Sequence, residues 1–263
     1  MGVARATWVW LHPDRPLDLD ALVAHLTAER VDEVFVSVPW SGPDARVRAC
    51  VAALRRLGLR VAALGGEPGW ADADAEAGDV EAADAEAGDA PAGAAHAVAW
   101  ARRATAEGLF DAVHLDVEPW TRTDWPGREG ALLLGLERAV RQVAAATALP
   151  VEVDLVPWLA VEHPRSFEGV ARSADAVTLM AYRDRAAAVL AASAGARAAL
   201  AGLGRPWRIA VDTLPSASPD ETFADDGRAV LDAELAAIVA ALRGADGWSG
   251  VAVHDAEHWR ALP

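Results

Sequence analysis

Lysine is absent from this sequence of 263 residues, so all 24 basic side chains are arginine. Schiff-base aldolases, pyridoxal enzymes and Walker-type phosphate loops each depend on a lysine amine, and its absence excludes all three. Cysteine is nearly absent as well, since Cys50 stands alone in an apolar helical stretch. A disulfide within one chain is therefore excluded, and the setting favours a buried structural thiol over a nucleophile.

Long apolar runs and cofactor motifs are also missing. No stretch of 18 or more apolar residues occurs, which argues against a membrane span. The segment from Met1 to His12 lacks the basic, apolar and small-residue regions of a signal peptide, so the expected location is cytoplasmic. No G-x-G-x-x-G follows the first predicted strand, and no C-x-x-C occurs. We therefore expect no organic cofactor and no zinc site.

Positive charge is scarce relative to negative charge. The chain has 39 acidic residues and a net charge of −15, which argues against a nucleic-acid partner. Part of the excess is local, because the stretch from Glu67 to Asp89 contains acids and no base. We predict that the low-complexity segment at about 70–92 is a solvated acidic loop. The alternative is a flexible lid over a site. The sequence makes no prediction of oligomeric state.

Short β-rich runs alternate with long amphipathic segments along the whole chain. The predicted strands are Trp8–Leu11, Glu33–Val38, Arg60–Leu64, Ala112–Val117, Val151–Leu155, Ala176–Met180, Arg208–Thr213 and Gly250–His254. The predicted helices are Leu17–Arg30, Asp44–Leu57, Ala94–Glu107, Arg128–Ala148, Ser166–Ser173, Asp184–Leu203, Gly227–Leu242 and Glu257–Leu262. Eight strands in this order predict an α/β fold, a single (β/α)8 TIM barrel over residues 1–263. An open doubly wound sheet is the alternative.

The fourth predicted strand carries a row of polar residues. Side chains alternate along a strand, so His114, Asp116 and Glu118 point to one face, about 6.5–7 Å apart in succession. Two carboxylates at that spacing disfavour each other's ionised form, and a dry barrel mouth adds to the effect. One acid is thereby kept protonated near neutral pH, which suits a general acid. We therefore predict an active site at this strand end, with Asp116 and Glu118 as catalytic residues.

Further residues stand at or just beyond the other strand ends, where barrel enzymes place their sites. The chain has eleven tryptophans, and Trp10, Trp40 and Trp120 are the predicted stacking residues for a ring or a sugar. Additional substrate-binding candidates lie on three other strands: Asp154, Asp212 and His254. The direction in which Asp154 and Asp212 point is left open by the pattern. Oxygen ligands of this kind also suit Mg²⁺ or Mn²⁺, so a metal-dependent barrel enzyme remains an alternative.

Two motifs resemble those of glycoside hydrolase family 18, the chitinase-like barrels. The run Asp111-Ala-Val-His114-Leu-Asp116-Val-Glu118 is similar to that family's D-x-x-D-x-D-x-E signature, with three of the four acidic positions matched. It falls on the fourth of eight strands, as in the family. Met180-Ala-Tyr182, at the end of the sixth predicted strand, resembles the family's M-x-Y motif. The resemblance in strand order covers nearly the whole chain.

The resemblance implies a retaining, substrate-assisted hydrolysis of an N-acetylhexosamine glycoside, either a small molecule or an oligosaccharide. Glu118 would protonate the glycosidic oxygen, Asp116 would orient the substrate's acetamido group as it attacks, and Tyr182 would hydrogen-bond that group. His114 departs from the family because it replaces an acid that usually partners the middle aspartate. We therefore place His114 among the substrate-binding candidates. The departure keeps open a catalytically degenerate, sugar-binding barrel.

Overall fold

A computed structural model describes residues 4–72 and 93–263. Its eight strands are β1 (Ala4–Val9), β2 (Glu33–Ser37), β3 (Arg60–Gly65), β4 (Ala112–Leu115), β5 (Val151–Leu155), β6 (Ala176–Met180), β7 (Trp207–Asp212) and β8 (Trp248–His254). Each strand pairs in parallel with the next, and β8 pairs with β1. The sheet is therefore closed, which confirms the predicted single (β/α)8 TIM barrel.

Helices connect the strands and surround them. They are α1 (Leu19–Ala28), α2 (Ala45–Arg56), α3 (Gly93–Thr105), α4 (Glu129–Ala146), α5 (Leu159–Glu162), α6 (Pro164–Ser173), α7 (Ala186–Leu203), α8 (Arg228–Leu242) and α9 (Ala256–Ala261). Short 3-10 helices follow three strands, at Pro68–Ala71, Pro119–Thr121 and Pro219–Glu221. Within the described chain, α7 is long and apolar enough to pass a length-and-composition test for crossing a membrane.

The element boundaries differ from the prediction mainly at β1. The predicted strand was Trp8–Leu11, whereas β1 begins at Ala4, because Ala4 to Thr7 pair with Gly250 to Val253 of β8. Beyond the strand, the Leu11 amide donates to Ser37 Oγ at 2.7 Å instead of continuing the ladder. The predicted acidic loop at about 70–92 lies almost wholly outside the described residues.

The barrel has two hydrophobic layers, one inside the ring of strands and one between the strands and the surrounding helices. Alternate strand residues fill the interior, and many of them are alanine: Ala6, Ala62, Ala112, Ala210 and Ala252. These small side chains leave room for the rings of Trp8 and Phe35, which meet edge to face with centroids 5.0 Å apart. The larger apolar layer lies between the strands and the helices. The polar row on β4 therefore faces the interior.

A network of ion pairs closes the floor of the barrel interior, which is its amino-terminal end. Arg208 donates to Glu33 at 2.5 Å and to Glu152 at 2.9 Å, and Arg60 donates to Glu152 at 2.6 Å. Arg60 also contacts Glu33. Because the carboxylates and Arg208 are largely buried, each charge needs its partner. The network supplies those partners and adds cations at the base of the barrel.

Gly66 brings the ends of β3 and β4 together beside the predicted site. The Asp116 amide donates to the Gly65 carbonyl at 3.0 Å. A Cβ atom at Gly66 would lie 1.9 Å from the Asp116 carbonyl oxygen, which is closer than any side chain allows. Glycine is therefore required where β3 passes the backbone of Asp116.

We predict that Gly66→Ala lowers the free energy of unfolding by about 2 kcal/mol, because the methyl group forces the two strand ends apart. Urea denaturation measures the change. The matched control is Gly202→Ala on α7, where an added Cβ has nothing within 4 Å. This control should stay within about 1 kcal/mol of the wild type. Equal stability of Gly66→Ala and the wild type would show that the close approach does not constrain Asp116.

Candidate active site

Six strands supply the polar groups of the barrel interior near its mouth, the end formed by the carboxyl ends of the strands. The residues considered below face inward because they share the alternation that places Trp8, Phe35 and Ala210 inside. They are Trp10 after β1, His114, Asp116 and Glu118 on and after β4, Asp154 on β5, Tyr182 after β6, Asp212 on β7 and His254 on β8. Asp154 and Asp212 thus point inward, which the sequence pattern left undecided.

His114 lies at the centre of the barrel with no exposed surface. Its Nε2 is 2.9 Å from Asp154 Oδ1, and its Nδ1 is 3.4 Å from Glu152 Oε2. The Phe35 ring stacks on the imidazole with centroids 3.7 Å apart. Burial alone would lower the pKa of His114, but Asp154 and Glu152 raise it to about 9. His114 is therefore an imidazolium at neutral pH.

Glu152 links this imidazolium to the floor of the barrel. Burial alone would raise the pKa of Glu152, but His114, Arg208 and Arg60 hold it well below its usual range. Asp154, on the other side of His114, also accepts from the Trp8 indole N–H at 3.3 Å. Because His114 has no exposed surface, it reaches a ligand only through its neighbours. We treat it as a positioning residue rather than as a direct contact.

Asp116 and Glu118 interact with each other directly above His114. Burial raises the pKa of Asp116 well above its ordinary value, and the charges of Asp154 and Glu118 raise it further. Asp116 Oδ1 is buried and has no hydrogen-bond partner within the described ranges, which adds to the cost of ionising it. The pKa of Glu118 is also raised, by burial and by Asp154, although Asp116, His254 and Trp120 oppose the shift. The pair therefore holds a proton more readily than two isolated carboxyl groups.

Tyr182 belongs to the same group of residues. Burial raises the pKa of its phenol, and four carboxylates raise it further: Asp212, Asp154, Asp116 and Glu118. The phenol therefore remains a protonated donor across the physiological range. Asp116 and Glu118 are both among the carboxylates that raise this pKa, which groups Tyr182 electrostatically with the pair.

A second polar chain runs along β7, β8 and the end of β1. His254 Nδ1 is 3.0 Å from Asp212 Oδ1, and the Trp10 indole N–H donates to His254 Nε2 at 3.1 Å. Since Nε2 accepts, the Nδ1 proton is donated to Asp212. Asp212 Oδ1 also accepts from the amides of Thr213 and Leu214. Asp212 and His254 are thus fixed in orientation, and the Tyr182 ring stacks against His254 with centroids 6.1 Å apart.

The predicted stacking tryptophans have different surroundings. Trp120 is half-buried, influences Glu118 and meets Trp158 edge to face at 6.4 Å. Trp10 bonds to His254 as described. Trp40 instead packs under the guanidinium of Arg103 on α3, 4.6 Å from its ring centre. Trp120 and Trp10 therefore lie beside the polar group, whereas Trp40 packs against α3 in the helical shell.

Sequence reasoning did not single out three residues that position this site: Trp8, Phe35 and Glu152. Trp8 bonds to Asp154, Phe35 stacks on His114, and Glu152 holds the opposite side of the imidazole. The available signal was spacing, because Glu152 and Asp154 are two residues apart on β5 and share a face, as Trp8 and Trp10 do. Across the described ranges, no cluster of three His, Cys, Asp or Glu side chains is arranged to hold a metal ion.

No protein-family model and no curated protein matches the chain. Several solved structures resemble its fold. The spore cortex-lytic enzyme SleL of Bacillus cereus is 11% identical, with a TM-score of 0.56 over 98% of this chain and 73% of its own. A class V chitinase of Pseudomonas fluorescens Pf-5 is 10% identical, with a TM-score of 0.58 over 99% and 98%. At such identities the likeness shows the fold alone.

An endo-β-N-acetylglucosaminidase of Cordyceps militaris is 13% identical, with a TM-score of 0.54 over 95% of this chain and 80% of its own. A barrel with a different activity, a deoxyribose-phosphate aldolase of Toxoplasma gondii ME49, scores similarly at 0.53 and 12% identity. The chain thus has a chitinase-like barrel fold, which enzymes of other classes also share. Its chemistry has to be argued from the residues at the mouth.

We predict that His114 makes stability depend on pH. Its pKa is raised from 6.5 to about 9 on folding, so its contribution is fully present below about pH 6.5 and is lost as the pH rises through about 9. That difference corresponds to about 3 kcal/mol. Urea denaturation of the wild type between pH 6 and 9.5 should show the loss, and His114→Gln should not. The exposed His12→Gln control should behave as the wild type. An equal loss in His114→Gln would contradict the assignment.

Proposed function

We propose that this protein is a glycosidase that cleaves an N-acetylhexosamine glycoside by a retaining, substrate-assisted mechanism. The observation that carries the proposal is the convergence of Asp116, Glu118 and Tyr182 in one partly enclosed group at the barrel mouth. These residues occupy the matched positions of the two chitinase-like motifs. The similarity in fold to several glycosidases supports the same class of activity without specifying the substrate.

The shared proton of the carboxyl pair suits this reaction. An acetamido N–H placed against Asp116 favours the ionised form of that carboxyl group. The proton is thereby held on Glu118, where it is available to the glycosidic oxygen. A substrate with an acetamido N–H thus keeps the proton on Glu118, the acid that cleaves it. A hexose without an acetamido group has no such N–H donor.

In the proposed reaction the acetamido oxygen attacks the anomeric carbon while Glu118 transfers its proton to the departing oxygen. Asp116 accepts from the amide N–H as positive charge develops on that group, and Tyr182 donates to the acetamido carbonyl oxygen. Water then attacks the anomeric carbon as the bond between that carbon and the acetamido oxygen breaks, and the water gives a proton to Glu118, so the acid and the acetamido group are both regenerated. Two displacements at one carbon retain its configuration, and no second protein nucleophile is required.

A catalytically degenerate, sugar-binding barrel is the second candidate, and one observation favours it. His114 replaces an acid of the family's motif and is held as a cation between Glu152 and Asp154. The acid that usually partners the middle aspartate of that motif is therefore missing from this position. Binding of a saccharide in a calorimeter without cleavage over days would select this candidate. For the glycosidase we propose a soluble, cytoplasmic substrate, either an oligosaccharide fragment or a glycosylated metabolite.

We predict that Glu118→Gln lowers kcat/KM by about 10²- to 10⁴-fold, because an amide cannot donate the required proton. The substrates are the 4-methylumbelliferyl β-glycosides of N-acetylglucosamine and chitobiose, followed by fluorescence. Wild-type activity should fall as the pH rises through the raised pKa of Glu118. The control is Glu168→Gln on α6, whose carboxylate pairs with Arg172 at the surface. Wild-type turnover by Glu118→Gln would refute the role of Glu118.

A further inference from the structure

Four buried polar atoms beneath the barrel mouth have no hydrogen-bond partner among the residues that the structure describes. They are Asp116 Oδ1, His114 Nε2, Asp154 Oδ1 and Thr178 Oγ1. The side chains of His114, Asp154 and Thr178 have no exposed surface at all. A buried polar atom without a partner costs free energy, so a group of four requires a physical explanation.

The register of three neighbouring strands places three of these side chains in one row. Asp154 on β5 is paired with Thr178 on β6. The register of β4 against β5, continued by one residue, places Asp116 level with Asp154. Val177 and Leu179, on either side of Thr178, pack in the layer between strands and helices, so Thr178 points inward. Because neighbouring strands lie about 4.8 Å apart, the three inward side chains are neighbours.

His114 completes the group from one step deeper in the barrel. Its Nε2 atom is 2.9 Å from Asp154 Oδ1, but the N–H is not directed at that oxygen, so the two charges attract without forming a hydrogen bond. The other oxygen of Asp154 accepts from the Trp8 indole N–H. Asp116 hydrogen-bonds to Glu118, which again leaves its Oδ1 atom without a partner. Each side chain therefore has one polar atom still to be satisfied.

The donors and acceptors of this group match a single water molecule. The imidazolium of His114 and the hydroxyl of Thr178 each supply a donor, and the oxygens of Asp116 and Asp154 are acceptors. A water molecule accepts two hydrogen bonds and donates two, so one molecule satisfies all four atoms. Buried waters in proteins typically bond to about three such groups. A metal cation fits less well, because the N–H of an imidazolium would face it.

We infer that one water molecule is bound between Asp116, His114, Asp154 and Thr178, and that it fixes the orientation of the Asp116 carboxyl group. Thr178 is then a positioning residue, because its hydroxyl acts on Asp116 only through the water. In the chitinase-like motif an acid partners the middle aspartate, and in this chain the water takes that place. The water site is independent of the proposed function, whereas its effect on catalysis rests on it.

The site itself is tested by crystal structures, without any turnover. In the wild type a water should lie within about 3.2 Å of all four atoms. Thr178→Ser keeps the hydroxyl group and should keep the water in place. In Thr178→Val a methyl group replaces the hydroxyl, and since a methyl carbon stays about 3.5 Å or more from its neighbours, the water should shift or leave.

Three results would overturn the site. The first is a wild-type structure without water density between the four side chains. The second is a metal ion there, recognised by contacts of about 2.5 Å or shorter. The third is a water that keeps its wild-type position in Thr178→Val.

The positioning role is tested with the 4-methylumbelliferyl β-glycoside of chitobiose. Thr178→Val should lower kcat about tenfold, because Asp116 is held less precisely as the acetamido group attacks. KM should stay within about twofold of the wild type, and Thr178→Ser should keep kcat within about twofold. The matched control is Thr27→Val on α1, an exposed threonine whose hydroxyl bonds to the Val23 carbonyl oxygen, and it should behave as the wild type.

Urea denaturation of each variant verifies that the fold is retained. A wild-type kcat in Thr178→Val would contradict the positioning role, as would an equal loss in Thr178→Ser. Failure of this inference is distinguishable from failure of the proposed function. Cleavage by the wild type with no water at the site keeps the glycosidase and removes the inference. A water that shifts in Thr178→Val, in a protein that cleaves no glycoside, keeps the site and removes both the glycosidase and the positioning role.

Discussion

The ion pair between His114 and Asp154 is the interaction on which the barrel interior depends. Both side chains are fully buried, so neither charge is tolerable without the other. Below the pair, Glu152 accepts hydrogen bonds from Arg60 and Arg208 at the floor of the barrel. Above it, burial raises the pKa values of Asp116 and Glu118, and the charge of Asp154 raises both further. The pKa values of Asp116 and Glu118 therefore depend in part on the column of alternating charges that lies beneath them.

That column also accounts for the departure of the chain from the chitinase-like motif. The motif has an acid where this chain has His114, yet an acid is still present near Asp116, supplied by Asp154 on the neighbouring strand. With His114 as an imidazolium, the flanking carboxylates of Asp154 and Glu152 keep the interior balanced. In the proposed reaction, positive charge develops on the substrate's acetamido group, and the ionised form of Asp116 stabilises it. The cation at His114 helps to hold Asp116 in that form once the proton has moved to Glu118.

Much of this arrangement follows from periodicity in the sequence. Eight alternations of strand and helix predicted the barrel, and a spacing of two placed His114, Asp116 and Glu118 on one inward face. The same rule applies to Asp154 and Asp212, but apolar neighbours on both sides hid their direction, which only the pairing of β4 with β5 and of β7 with β8 defines. Contacts such as Phe35 on His114 join residues that are distant in sequence. Contacts between residues so far apart in sequence cannot be predicted from a local sequence pattern.

The central claim is that Asp116, Glu118 and Tyr182 surround one N-acetylhexosamine unit. It is tested most directly by a crystal structure with the thiazoline analogue of N-acetylglucosamine, in which a sulfur atom already joins the acetamido carbon to the anomeric carbon. The account predicts that the thiazoline ring lies between Asp116 and Tyr182, with Glu118 on the face from which an aglycone departs. A thiazoline bound away from these residues, or no binding at millimolar concentration, would contradict it.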